Sequence, residues 1–270
     1  MKKEKIFSPQ HLKYIKGIKK ETKIIFASRF IILFFLLALW EFFATIGVID
    51  SFISSSPSRI FATIQKLFLE NNLIFHIGIT LYETVLGFII AVVLGYMIAL
   101  ALWWSERLRR ILEPYIVVLN SLPKIALGPI IIVWCGSGSK SIIFMAVLIG
   151  IIVAIMSMLN GFLATDKNKL LLLRSMGANK LQILLKLVIP GSVPTLISML
   201  KICVGMAWVG SIMGEYLVSR AGLGYLIVYG GQVFKLDLVM ASTVILCLLA
   251  AIMYASVAIL EKLIIKYNEK

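Results

Sequence analysis

Several polar side chains lie inside long apolar stretches of this sequence, at positions suited to compensating a charged group. Lys124 and Lys201 are the two cations in such positions, and Glu83 and Glu215 are two of the acids. Ionisable groups are costly inside a membrane and are commonly functional there. A cation at that depth would offset the desolvation of a small anion, which costs several kcal/mol per ion. The alternative interpretation is that each lysine pairs with an acid such as Glu83 or Glu215, or extends to an interface.

The segment LPKIALGP (122–129) adds a broken helix to this pattern. Pro123 and Pro129 lack backbone donors and interrupt a helix. Broken backbone at membrane depth is tolerated where it packs in protein or lines a cavity. We therefore predict that this segment lines a translocation path, and the alternative is a kink that serves packing alone. The candidate path residues are Asn120, Pro123, Lys124, Lys201 and Glu215.

Catalytic chemistry has little support in the sequence. His11 and His76 are far apart, and no H-E-x-x-H pattern or converging Ser/His/Asp set is present. The nucleotide-binding pattern G-x-x-x-x-G-K-[ST] is absent, and the chain contains no Gly-Lys pair. Cys135, Cys203 and Cys247 lie in apolar stretches, which is typical of small core residues. We expect no metal, no cofactor and no catalytic residue in this chain.

Six apolar segments must position the polar residues. The chain is 60% hydrophobic with a mean hydropathy of +0.99, far above the average soluble domain. A bilayer core of ~30 Å needs about 20 apolar residues per helix, so this length allows roughly six spans. The segments are 24–48, 77–104, 111–135, 140–164, 191–218 and 238–262. The sequence predicts an all-α, polytopic protein of the bacterial inner membrane with six transmembrane helices.

The placement of Lys and Arg predicts the orientation of these helices. Nine of the 27 cations precede residue 30, and further groups occupy 107–110, 167–186 and 262–270. By the positive-inside rule, both termini and the loop at 165–190 are cytoplasmic. This topology explains the net charge of +14 better than nucleic-acid binding does, so no nucleic-acid partner is expected.

The side of the membrane opposite the cytoplasm is predicted to carry two shorter elements. The segment SSSPSRIFATIQKLF (54–68) predicts an interfacial helix, with Ser56 as its N-cap and Pro57 at its first position. The glycine-rich segment 219–234 has too few consecutive apolar residues to span and is predicted to be a re-entrant or surface loop. The predicted divisions are a basic cytoplasmic segment, a transmembrane domain and a cytoplasmic tail, over 1–23, 24–262 and 263–270.

The cytoplasmic loop 165–190 contains a second, shorter hydrophobic pattern. Asn179 and Gln182 form a capping-box pattern, and Gly177 separates the helix that follows from a short helical run at 170–176. Apolar residues in the second helix recur at i, i+3, i+4 and i+7. These residues are Leu181, Leu184, Leu185 and Val188. Such a face either lies on the membrane surface or docks into a groove of a cytoplasmic partner, and periodicity does not separate the two.

The spacing of one glycine and two prolines in this loop carries a family resemblance. Gly177 is followed thirteen residues later by Pro190, and Pro194 comes shortly after. The loop is similar to the EAA motif of the inner-membrane permeases of ABC importers. The Glu-Ala-Ala that names the motif is replaced by three leucines at 171–173, so a contact made by the motif glutamate is not carried over.

Four further segments extend the resemblance over most of the chain after residue 50. Their order and spacing are similar to the branch that imports nitrate, aliphatic sulfonates, taurine and pyrimidine thiamin precursors. The segments are PSRI (57–60), HIGITLYETVLGFIIAVVLG (76–95), LPKIALGPIIIVWCGSG (122–138) and GEYLVSRAGLGYLI (214–227).

The resemblance implies a type I importer permease that works with separate proteins. Its expected partners are two cytoplasmic ABC ATPase subunits, an extracytoplasmic substrate-binding protein, a second copy of the chain and the lipid bilayer. The loop at 165–190 would be the coupling helix, seated in a cleft of the ATPase. The residues expected to make this coupling are Arg174, Gly177, Ala178, Asn179, Leu181, Leu184, Leu185, Val188 and Pro190.

An autonomous secondary carrier or channel is the alternative function. Such a protein would not need a docking loop, and secondary carriers often show inverted repeats with matching broken helices. Only one broken segment is evident in this sequence, at 122–129. Copurification of an ATPase would separate the two functions.

Overall fold

The described chain is built from helices and the turns that join them. The computed structural model describes residues 9–48, 50–70 and 72–268, and every regular element within these ranges is helical. The α-helices are α1 (Pro9–Thr45), α2 (Ser51–Ser54), α3 (Pro57–Leu69), α4 (Asn72–Trp104), α5 (Glu106–Ser121), α6 (Gly128–Cys135), α7 (Ser139–Leu163), α8 (Lys167–Ser175), α9 (Lys180–Ile183), α10 (Ile189–Gly191), α11 (Val193–Val218), α12 (Leu223–Gln232) and α13 (Leu236–Asn268). A 3₁₀ turn precedes α6 and a π turn follows α9, at Lys124–Leu127 and Leu184–Val188.

Five helices are long and apolar enough to cross a membrane. They cover Lys23–Thr45, Leu73–Trp104, Ser139–Leu163, Val193–Val218 and Leu236–Ile264. The remaining predicted segment, 111–135, is not a straight helix, because Glu106–Ser121 and Lys124–Cys135 meet at 87°. In its described part the chain therefore has five spans, or six when the bent pair is counted as one.

The bend in this pair results from Leu122 and Pro123. Leu122 is extended, with φ −67° and ψ 138°, because the residue before a proline disfavours the helical conformation. Pro123 lies outside the helical region, and its carbonyl accepts the Ala126 N–H at 2.8 Å to start the 3₁₀ turn. Pro129, predicted as a second break, lies in the first turn of α6, where its missing N–H removes no helical hydrogen bond.

The described residues up to Thr63 form one compact unit, dominated by α1. The most apolar part of α1 has no buried residues, and Phe34 is 76% exposed, so this helix presents an apolar surface suited to lipid. The Glu41 carboxylate accepts hydrogen bonds from the Ser58 N–H at 3.0 Å and the Ser58 hydroxyl at 2.7 Å. Ser56 Oγ accepts the Arg59 N–H at 3.5 Å. The predicted start of a helix at Ser56 and Pro57 is confirmed.

The described residues from Ile64 onward form the second unit, which is organised around α7, the described span with the largest buried share. Its neighbours α4 and α11 approach closely through small residues. A Cβ atom at Gly95 would lie 2.5 Å from the Ala154 Cβ, and one at Gly210 would lie 2.5 Å from the Ala146 Cα. Small residues let membrane helices approach in this way and gain packing energy.

Two glycines of α11 give a direct test of this packing. Gly210→Ala should lower the thermal unfolding temperature of the purified protein, because the added methyl meets the α7 backbone and overpacking costs about 1–3 kcal/mol. Gly205→Ala is the matched control, since nothing lies within 4 Å of a Cβ at that position. Equal unfolding temperatures for the two variants would contradict the described α7–α11 contact.

Two apolar clusters hold the second unit together. One joins the π turn to α4, α7 and α11 through buried side chains that include Leu102, Phe162, Leu184, Val188 and Met199. The other contains Trp208, Leu223, Leu226, Leu238 and Ile245, and it holds α12 between α11 and α13. The segment 219–234, predicted to be a loop, therefore contains a packed ten-residue helix.

Candidate functional site

The predicted coupling loop forms two short helices joined by a tight turn. Asp166 caps α8 by accepting the Asn168 N–H at 2.8 Å. Gly177 has φ +78°, a conformation that favours glycine, and the Ala178 N–H bonds to the Leu173 carbonyl at 2.9 Å. The helix–turn–helix predicted around Gly177 is confirmed.

The second helix of the loop begins with the predicted capping box. Asn179 Oδ1 accepts the Gln182 N–H at 2.8 Å, and Gln182 Oε1 accepts the Asn179 N–H at 2.8 Å. The helix then widens into the π turn, in which the Ile189 N–H bonds to the Leu184 carbonyl. Pro190 follows and has no backbone N–H to donate in the regular α-helical hydrogen-bond pattern, which explains the wider turn at this point.

The four apolar residues predicted to face a partner divide into two pairs. Leu181 and Leu185 are 52% and 55% exposed. Leu184 is only 8% exposed and Val188 is fully buried, because both pack into the cluster formed with α4, α7 and α11. The prediction of a single four-residue docking face is wrong for Leu184 and Val188, which anchor the loop to the spans.

Exposed apolar side chains lie on both helices of the loop. They are Leu171, Leu172, Met176, Leu181 and Leu185, each more than half exposed. We name this set the loop patch. A surface groove of about 270 Å³ opens at the turn, between Met176, Gly177 and Lys186. Arg174, Asn179 and Pro190 are exposed and Ala178 is half-buried. Apolar patches of this kind mark protein or membrane interaction surfaces.

A lysine at the start of α9 connects the loop to the end of α4. The Lys180 Nζ donates a hydrogen bond to the Trp104 carbonyl. It also lies 5.8 Å from the ring centroid of Trp103 and 5.3 Å from that of Trp104, within cation–π range. Sequence analysis missed this contact, although two tryptophans at the end of a span were a visible signal.

The two cations predicted for the translocation path have local partners. The Lys124 Nζ donates to the Asn120 carbonyl at 3.1 Å, which is one of the carbonyls freed by the break in the helix. The Lys201 Nζ forms a salt bridge with the Glu261 carboxylate at 2.6 Å. The alternative interpretation, pairing with an acid, therefore holds for Lys201, although its partner on α13 is neither Glu83 nor Glu215.

Glu215 is buried rather than open to a path. It is 1% exposed, and its Oε2 accepts the Gly224 N–H at 2.6 Å and the Tyr225 N–H at 3.4 Å. These groups belong to the first turn of α12, where a carboxylate is favoured by the helix dipole. Glu215 was predicted as a path residue; in this structure it is closed off from solvent and its Oε2 holds the start of α12.

Two residues of α4 support the same turn and were missed in the sequence. Thr80 Oγ1 accepts the Leu223 N–H at 2.8 Å, and His76 Nδ1 accepts the Gly222 N–H at 2.9 Å. Four successive backbone donors, from Gly222 to Tyr225, are thus held by three side chains from two spans. The buried N–H groups of this turn are therefore paired, as buried backbone donors usually are, whereas the Glu215 Oε1 has no partner among the described residues.

Comparisons with known proteins agree on one family. Residues 91–266 match the family described as binding-protein-dependent transport system inner membrane component. A probable ABC transporter permease protein of Haemophilus influenzae is 32% identical over 82% of this chain and 90% of its own length. The formylaminopyrimidine transport permease protein of Halalkalibacterium halodurans is 30% identical over 88% of this chain and 95% of its own length. The taurine transport system permease protein of Escherichia coli is 25% identical over 84% of each chain.

Solved structures share the fold. The MetNI methionine ABC transporter in an inward-facing conformation matches with a TM-score of 0.64 at 19% identity, over 71% of this chain and 95% of that one. An amino acid ABC transporter matches with a TM-score of 0.56 at 18% identity, over 74% of this chain and 95% of that one.

Proposed function

The chain belongs to the family of inner-membrane components of binding-protein-dependent transport systems, and from this premise we propose how it couples ATP hydrolysis to transport. It is a multi-pass permease subunit of an ABC importer, and the ATPase is a separate protein. We propose that the chain has no nucleotide site of its own and depends on that partner for energy.

The loop patch supports a docking role for the segment 165–190. Its five apolar side chains are exposed while the opposite side of the same loop is buried among the spans. Apolar anchors at the centre of an interface carry most of its binding energy. This division is the single observation that carries the proposal. The ATPase covers the patch, and the turn at Gly177 sets the angle at which the two short helices meet it.

The coupling route continues from the loop into the spans by two contacts. Leu184 and Val188 are buried against α4, α7 and α11. Lys180 joins the start of α9 to the last residues of α4 through Trp103 and Trp104. Movement of the docked loop would therefore be passed to the helices that surround the solute.

The proposed solute is small and carries an acid group or a similar polar group. Relatives are named for aliphatic sulfonates, taurine and formylaminopyrimidine. The bent pair α5 and α6 remains the proposed wall of the path, with Asn120, Pro123 and Lys124 at its break. Lys201 is excluded from this proposal because Glu261 neutralises it.

The proposed assembly contains two copies of this chain. One chain supplies one docking loop, and two ATPase subunits need two loops. We propose cytoplasmic termini, with residues 1–23 and 263–270 on the same side as the loop and an extracytoplasmic substrate-binding protein on the other side. The distribution of cations supports this orientation.

Purification of the tagged chain from its native membrane tests the assembly. We expect native mass spectrometry to show two copies of this permease with two copies of one ATPase, and uptake into proteoliposomes to require ATP and the binding protein. A second, different permease chain in the complex would contradict the homodimer. Uptake that proceeds without ATP would support an autonomous carrier instead.

A further inference from the structure

Two glutamates from neighbouring spans meet beside the first turn of α12. Glu83 lies on α4 and Glu215 lies on α11, and each is 1% exposed. The Glu83 carboxyl group contacts the side chains of Glu215 and Ser139. Close by, the buried hydroxyls of Thr84 and Ser211 form a hydrogen bond of 2.6 Å between the same two helices. The packing of α4 against α11 therefore holds the two carboxyl groups together, away from solvent.

One oxygen of each carboxyl group lacks a hydrogen-bond partner. Glu83 Oε2 and Glu215 Oε1 are both buried without a partner among the described residues. The other Glu215 oxygen is occupied by the N–H groups of Gly224 and Tyr225. An ionised carboxylate only accepts hydrogen bonds, so two ionised groups would leave both oxygens unpaired and would also repel each other. A buried acceptor without a donor is costly, which indicates that a donor is missing between the two groups.

The charges around the pair suit one negative charge rather than two. The titratable residues on the surrounding elements are His76 on α4, Lys140 at the start of α7, Tyr216 on α11, Arg220 after α11 and Tyr225 on α12. Arg220 is the one cation among the described residues that line a cavity of about 320 Å³ beside Glu83. Lys140 is exposed and does not line that cavity. His76 Nδ1 accepts the Gly222 N–H, so this nitrogen carries no proton and the ring is uncharged.

We propose that Glu83 and Glu215 together bind one proton, which bridges the two carboxyl groups and keeps the first turn of α12 attached to α4 and α11. The shared proton supplies the missing donor and leaves the pair with a single negative charge. Two carboxyl groups in contact hold one proton because they cannot both ionise without repulsion. Ser137, Ser139 and Arg220 are exposed at the cavity, so water there exchanges the proton with the solution. This inference goes beyond the transport function and does not depend on the identity of the solute.

The shared proton makes the stability of the permease depend on pH. In the unfolded chain both glutamates have ordinary pKa values and bind no proton at neutral pH. The folded pair binds one proton, so the free energy of unfolding falls as the pH rises above about 5, until the pair is fully ionised. For one proton, the thermal unfolding temperature should fall by about 3 °C for each pH unit. Above this range the first turn of α12 should detach from the pair.

Glu83→Gln tests the pH dependence, because the amide has the shape of the acid and can donate an N–H to Glu215 at any pH. Near pH 6 it should unfold at about the temperature of the unchanged protein, and between about pH 6 and pH 9 it should lose about 3 °C less per pH unit. Glu113→Gln is the matched control, since Glu113 is exposed on α5, and it should keep the slope of the unchanged protein. An equal slope in Glu83→Gln and the unchanged protein would overturn the proposal, as would failure of Glu83→Gln to fold.

Infrared spectroscopy detects the proton in the unchanged protein, so this measurement does not depend on a variant that folds. A protonated carboxyl group has a C=O stretching band that an ionised carboxylate lacks. We expect the permease in lipid nanodiscs to show this band at neutral pH and to lose it at high pH. The difference spectrum between the unchanged protein and Glu83→Gln should contain the same band. Its absence from the unchanged protein at neutral pH would overturn the proposal.

Hydrogen exchange tests the attachment of α12. The unchanged protein and Glu83→Gln are compared at the same pH, so their intrinsic exchange rates are equal in segment 222–226. At high pH this segment should exchange faster in the unchanged protein, in which the pair has lost its proton, and at neutral pH the two rates should agree. Segment 149–155 of α7 is the internal control and should exchange equally in both proteins. Equal exchange of segment 222–226 at high pH would overturn the proposal.

Discussion

Leu185→Asp should abolish substrate-stimulated ATP hydrolysis while leaving the permease inserted and folded. Leu185 is 55% exposed on the loop patch, so an aspartate there is solvated in the free chain but would be buried without a partner in the proposed complex. Loss of a central apolar anchor costs about 2 kcal/mol or more, which corresponds to about thirtyfold in affinity for the ATPase. The measurement is ATPase activity of the reconstituted complex with and without the binding protein and solute.

The control for this experiment places the same charge elsewhere on the loop. Asn168 is exposed on α8 and outside the loop patch, so Asn168→Asp should retain stimulated hydrolysis. Leu184→Asp is unsuitable as a test, because Leu184 is buried in the chain and its replacement would disturb the fold directly. Normal stimulation in Leu185→Asp would show that the ATPase docks elsewhere.

Glu215→Leu should strongly destabilise the permease. The carboxylate holds the first turn of α12 through Gly224 and Tyr225, and leucine leaves these donors without an acceptor. Each buried donor left without an acceptor costs about 1–3 kcal/mol. We expect a large fall in the thermal unfolding temperature in detergent.

Glu215→Gln should lie between leucine and the native residue, because its amide oxygen can still accept the Gly224 N–H. Glu113→Leu is the control, since Glu113 is exposed on α5. If Glu215→Leu and Glu113→Leu unfolded at the same temperature, the contact with α12 would carry no stability.

Features that depend on neighbouring residues were predictable from the sequence. The capping box at Asn179 and Gln182 and the turn at Gly177 need only a few adjacent residues to form, so their spacing predicts them. The break at Pro123 was predictable for the same reason, whereas the size of the 87° angle also depends on how α5 and α6 each pack against α7. The residues next to Pro123 define where the helix breaks, and tertiary contacts define the direction in which α6 continues.

Features that depend on distant residues were not predictable. Periodicity groups Leu181 with Leu184, because both fall on one side of a helix, but it does not tell which residue meets the spans of the same chain. The partner of Lys201 lies 60 residues away on α13. The helix α12 was missed because its glycines suggest a loop, and the contacts that stabilise it come from Thr80 and Glu215 on other helices.

The attachment of the loop to the spans has a mechanical consequence. Leu184 and Val188 are embedded among α4, α7 and α11, and Lys180 is fastened to Trp104 at the end of α4. Protein interiors are dense and barely compressible, so a segment held at several points moves together with what holds it. The loop is therefore held rigidly against the transmembrane helices. If an ATPase docks on the loop patch as proposed, a displacement of the loop would be passed directly to these transmembrane helices.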